Sequence, residues 1–260
     1  MAIITLTTDL GLKDNYVASV KGAILKELPE ATIVDITHEI PLFDFQKTAF
    51  VLKHCYLDFP VGSIHIVGVN SESTMETPHV AIYENGHYFI GADNGIFSLL
   101  FNHQPEKIVD LTLTQDVNLI AFPTKDVFVK AACHLAKGGK LEDIGNIKKE
   151  LTVRTMFSPI FENNILKGMA IYIDHYGNII TNITEPMYKE HGKGRSFSIL
   201  FRKAEYEINQ ISKSYSAVVE GERVALFSST GYIEIAINKA NASKLFGINQ
   251  GDTIRIEFYD

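Results

Sequence analysis

Between residues 3 and 136, short β-branched runs alternate with segments of helical apolar spacing, and that alternation narrows the fold more than any other feature. It is the pattern of strands and helices arranged around a mainly parallel sheet. Residues 3–7 predict a strand. From Tyr16 the apolar residues Val17, Val20, Ile24 and Leu28 recur at three- and four-residue spacing, with Lys21 and Glu27 off that face. This predicts an amphipathic helix, stopped by Pro29. Strands are predicted over 32–36, 63–69, 79–83 and 87–91, and helices over 46–56 and 126–136, the last aligning Phe128, Ala131, Ala132 and Leu135 on one side.

From residue 137 to 167 the periodicity dissolves into charged and irregular sequence that includes Gly138-Gly139 and Pro159. The inter-domain connection is placed there and drawn at 151–167, between an N-terminal α/β domain over 1–150 and a C-terminal β domain over 168–260. In the second half, strand candidates at 169–173, 179–183, 196–201, 205–208, 223–227, 232–237 and 253–258 follow one another at turn spacing, which predicts a smaller antiparallel β domain.

A chain of 260 residues that is 46% apolar can fill a sizeable core. Its net charge of -7 leaves no electrostatic footprint for a nucleic-acid backbone. The two cysteines, Cys55 and Cys133, lie in no zinc-ligand spacing, and a reducing, cytoplasmic setting is expected. Residues 1–8 are apolar but have no basic lead-in and end at Asp9, so neither a signal peptide nor a membrane partner is expected. The nine histidines form no His-x-His or His-x-x-x-His pair, and no metal or cofactor is predicted. Phosphate-loop, dinucleotide and Gly-x-Ser-x-Gly patterns do not occur.

Two segments could carry chemistry. In Thr8-Asp9-Leu10-Gly11 a carboxylate follows the first strand, and Asp14 precedes the first helix. In open α/β sheets ligands lie outside the carboxyl ends of strands, where an acid can accept hydrogen bonds from ribose hydroxyls. An Asp before a helix such as Asp14 is more often an N-cap, and Asp9 reads also as an Asx turn. The second segment is Asp174-His175-Tyr176-Gly177-Asn178 with Thr181-Asn182. An acid, an aromatic ring and an amide this close can meet a cationic amine, stack on a base and address its edge. Between two strands the same residues also make a hairpin turn.

With three further stretches, these segments resemble the S-adenosylmethionine (SAM) hydroxide adenosyltransferase family, adenosine-forming SAM hydrolases related to fluorinases and chlorinases. The additional stretches are Val34-Asp35-Ile36-Thr37-His38 with Ile40-Pro41, Gly91-Ala92-Asp93-Asn94-Gly95, and Ser229-Thr230-Gly231-Tyr232-Ile233-Glu234-Ile235-Ala236-Ile237-Asn238. The likeness runs nearly end to end. It implies a SAM-binding protein that cleaves SAM at C5′. It also implies a homotrimer with each site between the N-terminal domain of one subunit and the C-terminal domain of the next.

By match of motif, Asp9 would hold the ribose hydroxyls, Asp14 and Asp174 would lie near the methionine amine, and Phe43 and Tyr176 would supply aromatic walls. Asn178 and the Ser229 loop would address adenine, while Phe122 and Thr124 would line the pocket near C5′. Tyr16 and Glu234 belong to the matched stretches and count among the binding candidates. The family's hydrolases carry an Asp, an Arg and a His that hold and activate the attacking water. In this chain Asn70 stands for the Asp, Glu76 or Thr77 for the Arg, and Pro123 for the His. Thr124 and Asn70 remain as the catalytic candidates. Two functions stay open: displacement at C5′ by water or a halide, and nucleoside binding without turnover.

Overall fold

The computed structural model describes residues 2–113 and 121–259, with only the backbone of residues 203–205. The chain divides into two compact units, Met1–Thr155 and Met156–Asp260.

The first unit runs β1 (Ile3–Thr8), α1 (Tyr16–Glu27), β2 (Thr32–Thr37), α2 (Phe45–Lys53), β3 (Ile64–Gly68), β4 (His79–Glu84), β5 (His87–Ala92), α3 (Ile96–Phe101), β6 (Lys107–Leu111), α4 (Val129–Ala136) and β7 (Gly145–Ile147). The strands form one sheet in the order β2-β1-β3-β5-β4-β6-β7. β2, β1, β3 and β5 are mutually parallel, and β4, β6 and β7 extend the sheet in antiparallel fashion. Of the parallel strands β1, β3 and β5 are buried on both faces, whereas β2 at the edge is only partly buried. Val20 and Ile24 of α1 and Phe128, Ala131 and Ala132 beside them pack with Ile4, Leu6 and Ile66 on one face. Ala49 and Leu52 of α2 pack with Ile96, Phe97, Val67 and Phe89 on the other. The chain passes from β1 to β2, then back across to β3 on the far side of β1, so the strand order reverses at β1. That reversal opens the crevice in which α/β sheets take ligands.

Several elements differ from the sequence expectation. The predicted 46–56 helix is α2, which ends at Lys53, followed by a separate turn at Tyr56–Asp58. The predicted 126–136 helix begins with a π-helical turn over Thr124–Phe128 behind Pro123. α3, β6 and β7 carry no pattern long enough to be noticed: α3 is six residues with five buried, so it has no polar face. Asn15, not Asp14, occupies the N-cap of α1, and it makes no side-chain cap bond.

The second unit runs β8 (Ile160–Glu162), β9 (Ile165–Ile173), β10 (Ile179–Thr184), α5 (Glu185–Gly192), β11 (Ser196–Phe201), β12 (Lys203–Ile208), β13 (Arg223–Phe227), β14 (Tyr232–Ile237), α6 (Ala242–Phe246) and β15 (Thr253–Tyr259). The antiparallel path is β12-β11-β15-β9-β10-β14-β13, with β8 on β9. Just past β12, Ile211 bridges Ala225 of β13, which curls the path toward a half-barrel. Period-two alternation fills its inside: Ile254, Ile256 and Phe258 of β15 are buried while Thr253, Arg255 and Tyr259 face out. Among the described residues no helix is long and apolar enough to cross a membrane.

Candidate functional site

The first unit gathers its candidates at the carboxyl ends of β1 and β3, whose last residues Thr8 and Gly68 stand side by side in the parallel register. The loop after β1 is pinned: the Gly11 N–H donates to the His38 carbonyl at 2.8 Å, and Thr8 Oγ1 pairs with His38 Nδ1 at 2.8 Å. Asp9 leaves this anchor half-buried. Its Oδ2 accepts from the Phe43 N–H at 3.3 Å. Burial dominates its titration and raises its pKa above the ordinary carboxylate value, partly offset by the N–H groups of Phe43, Asp9 itself and Asn70.

Phe43 presents that N–H from a left-handed backbone, φ 62°, which an aromatic residue rarely adopts, and its ring is exposed. Asp44 fixes the next turn by capping α2 through the Lys47 N–H at 2.9 Å. Asn70, also left-handed at φ 45°, is tied from behind by Asn94, whose Nδ2 donates to the carbonyls of Val69 and Asn70 at 3.1 and 3.3 Å. Asn94 follows Asp93, a fully buried acid that accepts the Thr152 N–H at 2.9 and 3.1 Å and pairs with Lys148 at 3.1 Å. Burial opposes the charge on Lys148, yet Asp93 and Asp110 hold its pKa above the usual value. Asp93 and Asn94 thus serve to hold a loop.

Thr124, fully buried, donates its hydroxyl to Ser71 Oγ at 3.0 Å. The approach depends on Gly68, where a Cβ would stand 2.7 Å from Thr124 Cγ2 and 2.9 Å from its Oγ1. Beside Thr124 the Phe122 ring meets Tyr16 edge-on, centroids 5.5 Å apart. Asp9, Phe43 and Asn70 therefore belong together, as do Thr124 with Ser71 and Tyr16 with Phe122. Asp14 is exposed. Glu76 is exposed in the loop after β3, and Pro123 is buried at the head of the π-helical turn.

In the second unit Asp174, Tyr176 and Asn178 share one cavity of about 660 Å³. The hairpin turn and the cavity are one object. Asp174 accepts the Asn178 N–H at 2.8 Å and its Nδ2 at 3.0 Å, and Gly177 turns at φ 87° with no room for a Cβ against Asn241. Tyr176 is left with its ring exposed. Glu234, buried on β14, accepts the Tyr215 hydroxyl at 2.6 Å, and Tyr215 lines the cavity. Burial raises the Glu234 pKa; the Tyr215 hydrogen bond opposes this and the Asp174 charge adds to it. The Tyr215 hydroxyl is itself pushed up by burial, then by Glu234. Ser229 does not join this group: it lies exposed in the β13–β14 turn, where the Gly231 N–H closes back onto the Ser228 carbonyl at 2.9 Å.

Two family models match the chain in order: the SAM hydroxide adenosyltransferase N-terminal domain over residues 4–145 and the corresponding C-terminal domain over 168–255. The chain belongs to the SAM hydroxide adenosyltransferase family. Within it, the chain is 30% identical to the (R)-S-adenosyl-L-methionine hydrolase of Methanocaldococcus jannaschii, across 98% of this chain and 95% of that one. It is 27% identical to the hydrolase of the same name from Thermus thermophilus, across 96% and 97%. A fluorinase of Actinoplanes sp. is 22% identical across 98% and 97%. An uncharacterized conserved protein from Thermotoga maritima superimposes with a TM-score of 0.86 at 28% identity, covering 99% of this chain and all of that one.

Sequence reasoning within the family missed Ser71 and Tyr215. Ser71 directly follows Asn70 and was available as a neighbour of a candidate. Tyr215 sits in an irregular stretch 19 residues before Glu234 and gives no signal until the fold brings the two together. Among the described residues there is no group of three or more His, Cys, Asp or Glu side chains that could hold a metal ion.

Proposed function

We propose that this protein binds SAM and cleaves it at C5′, with water as nucleophile, releasing adenosine and methionine. The observation that carries this reading is the pairing at two adjacent strand ends: the Asp9 acid after β1, suited to a ribose diol, and the part-buried hydroxyl pair of Ser71 after β3 with Thr124, suited to a small nucleophile. The whole-length likeness to proteins named (R)-S-adenosyl-L-methionine hydrolases supports the substrate class.

The attacking oxygen forms a bond to C5′ as the C5′–S⁺ bond breaks, and the bonding pair leaves with sulfur as a neutral thioether. The leaving group thus requires no acid; only the water must lose a proton. Positioned general-base help is worth about a hundred- to ten-thousand-fold, and neither Asn70 nor Pro123 can supply it. Thr124 and Ser71 can orient the water and exclude competing solvent, which supports slow hydrolysis. In the second half-site Asp174 would meet the methionine amine and Tyr176 and Asn178 the adenine. The lack of a base at 70 and 123 favours a second reading, nucleoside binding without turnover, and a halide in place of water as a third outcome.

Each half-site carries exposed apolar side chains close by in sequence, Leu12, Leu42 and Phe43 in one unit and Tyr176 and Leu245 in the other. This supports a homotrimer in which the N-terminal half of one subunit completes its site with the C-terminal half of a neighbour. Free Cys55 and Cys133, both pushed up to about 11 by burial, suit the cytoplasm.

Calorimetry with both sulfonium epimers of SAM tests the pocket. Chromatography after incubation, with and without chloride, separates the readings: adenosine and methionine mean hydrolysis, a 5′-halo nucleoside means halogenation, and binding with neither product means a silent protein. Absence of binding by either epimer overturns the proposal.

A further inference from the structure

On the outward face of the second unit three cations line one hollow. Lys167 of β9 lies directly opposite Arg255 of β15, and Arg255 is in turn opposite Leu200 of β11. The alternating residues Leu166, Ile254 and Ile256 fill the core, which leaves Lys167 and Arg255 side by side outside. Arg202, just past β11, completes the group from a left-handed backbone at φ 53°. Its guanidinium lies against Gly247, the left-handed C-cap of α6, where any Cβ would collide with Arg202 Nη1. These three cations line a cavity of about 430 Å³.

Asp252 is the one acid among the lining residues, and its Oδ2 is engaged by the Asn249 N–H at 2.9 Å within its own turn. Among the described residues, Lys167, Arg202 and Arg255 form no ion pair, whereas Lys21, Lys107, Lys148, Lys189 and Lys239 each reach a carboxylate. Like charges placed directly opposite on a sheet destabilise it. In a chain of net charge -7, three cations that form no ion pair among the described residues converge on one hollow and call for an anion.

We propose that this cavity binds a small phosphate-bearing metabolite. A phosphate group between the two strands converts the repulsion into charge-assisted hydrogen bonds, with two planar guanidinium forks and one ammonium to share its oxygens. The volume exceeds what a single phosphate fills, which leaves room for the organic part of the ligand. The site draws on none of the residues assigned to SAM.

Calorimetry of the full chain with inorganic phosphate and pyrophosphate, at ionic strength held constant with potassium chloride, tests this. Saturable binding is expected, tighter for pyrophosphate, and weakened about tenfold or more by Arg255→Ala and by Lys167→Gln, the scale of a lost charged hydrogen bond. Both variants keep the SAM affinity of the parent, and their thermal transition in the absence of phosphate is equal to or above the parent's, because the repulsion between positions 167 and 255 is relieved. Heats no larger than those of chloride overturn the proposal, as does undiminished affinity in the variants. A change of oligomer mass in Arg255→Ala without phosphate binding also overturns it, because another copy of the chain then covers this face.

Discussion

At the scale of single residues, Asp9 is the group on which the proposed nucleoside recognition most depends, and its own environment makes it testable. Burial raises its pKa, so the folded protein disfavours the ionised form that would accept ribose hydroxyls. In the free protein the folded pKa exceeds the unfolded one, so the fold binds the extra proton in the window between them and loses stability as pH rises through it. Asp9→Asn should therefore raise the melting temperature of the ligand-free protein at pH 7 while weakening nucleoside binding. Asp9→Ala should weaken it by about 1.5–3 kcal/mol, the scale of hydrogen bonds to a charged group. In the wild type, affinity should fall on acidification, beginning above the pH at which an exposed aspartate titrates, and in Asp9→Asn that limb should flatten. Titration calorimetry from pH 7 to 4.5 checks both, and equal affinity in the variants would remove Asp9 from the site.

At the scale of elements, the close approach of the π-helical turn to the end of β3 is set by what Gly68 lacks. A methyl group there meets Thr124 within 2.7 Å, and Thr124 is fully buried with the sheet at its back. Gly68→Ala should push Thr124 away from Ser71, lowering turnover about tenfold or more with a smaller effect on SAM affinity, because misplacement of a reacting group costs rate before binding. Loss of affinity as large as the loss of rate would instead mean that the loop refolds. This contact also marks where the sequence stopped being legible. The long helices and the buried parallel strands announce themselves by period, and Asp9 and Asp174 by their places after strands. Gly68 inside a strand run, the π-helical start of the Thr124 helix and the Tyr215–Glu234 pair depend on tertiary neighbours, and no local spacing encodes them. The same holds for β8 and the first residues of β9, which lie in the stretch read as a connection: exposed Ile160, Phe161 and Glu162 show no alternation.

At the scale of the whole molecule, two properties separate stability from assembly. The first unit buries His65 between Thr5 and His87, at 2.8 and 3.2 Å, and burial, then the neighbouring His87, pushes its pKa down to about 3. The unfolded chain protonates this residue near 6.5, so stability should erode from that pH down to about 3, by on the order of 3 kcal/mol at pH 4. Urea unfolding should show a shallower acid limb in His65→Gln; parallel limbs would mean that other groups govern acid lability. Assembly calls for a different experiment, because a site shared between subunits can be rebuilt from two damaged chains. In the proposed homotrimer Asp9→Ala weakens the N-terminal half-site and Asp174→Ala the C-terminal one, so at SAM concentrations that saturate only the wild type each variant alone should be strongly impaired. In trimers formed by co-expression, an intact N-terminal half meets an intact C-terminal half wherever an Asp174→Ala subunit precedes an Asp9→Ala subunit, roughly one boundary in four for random mixing around a closed ring. About a quarter of the wild-type turnover, or of its SAM-binding capacity if the protein is silent, should then return. If each site were built within one chain, every site in the mixture would carry one of the two lesions and nothing would be recovered.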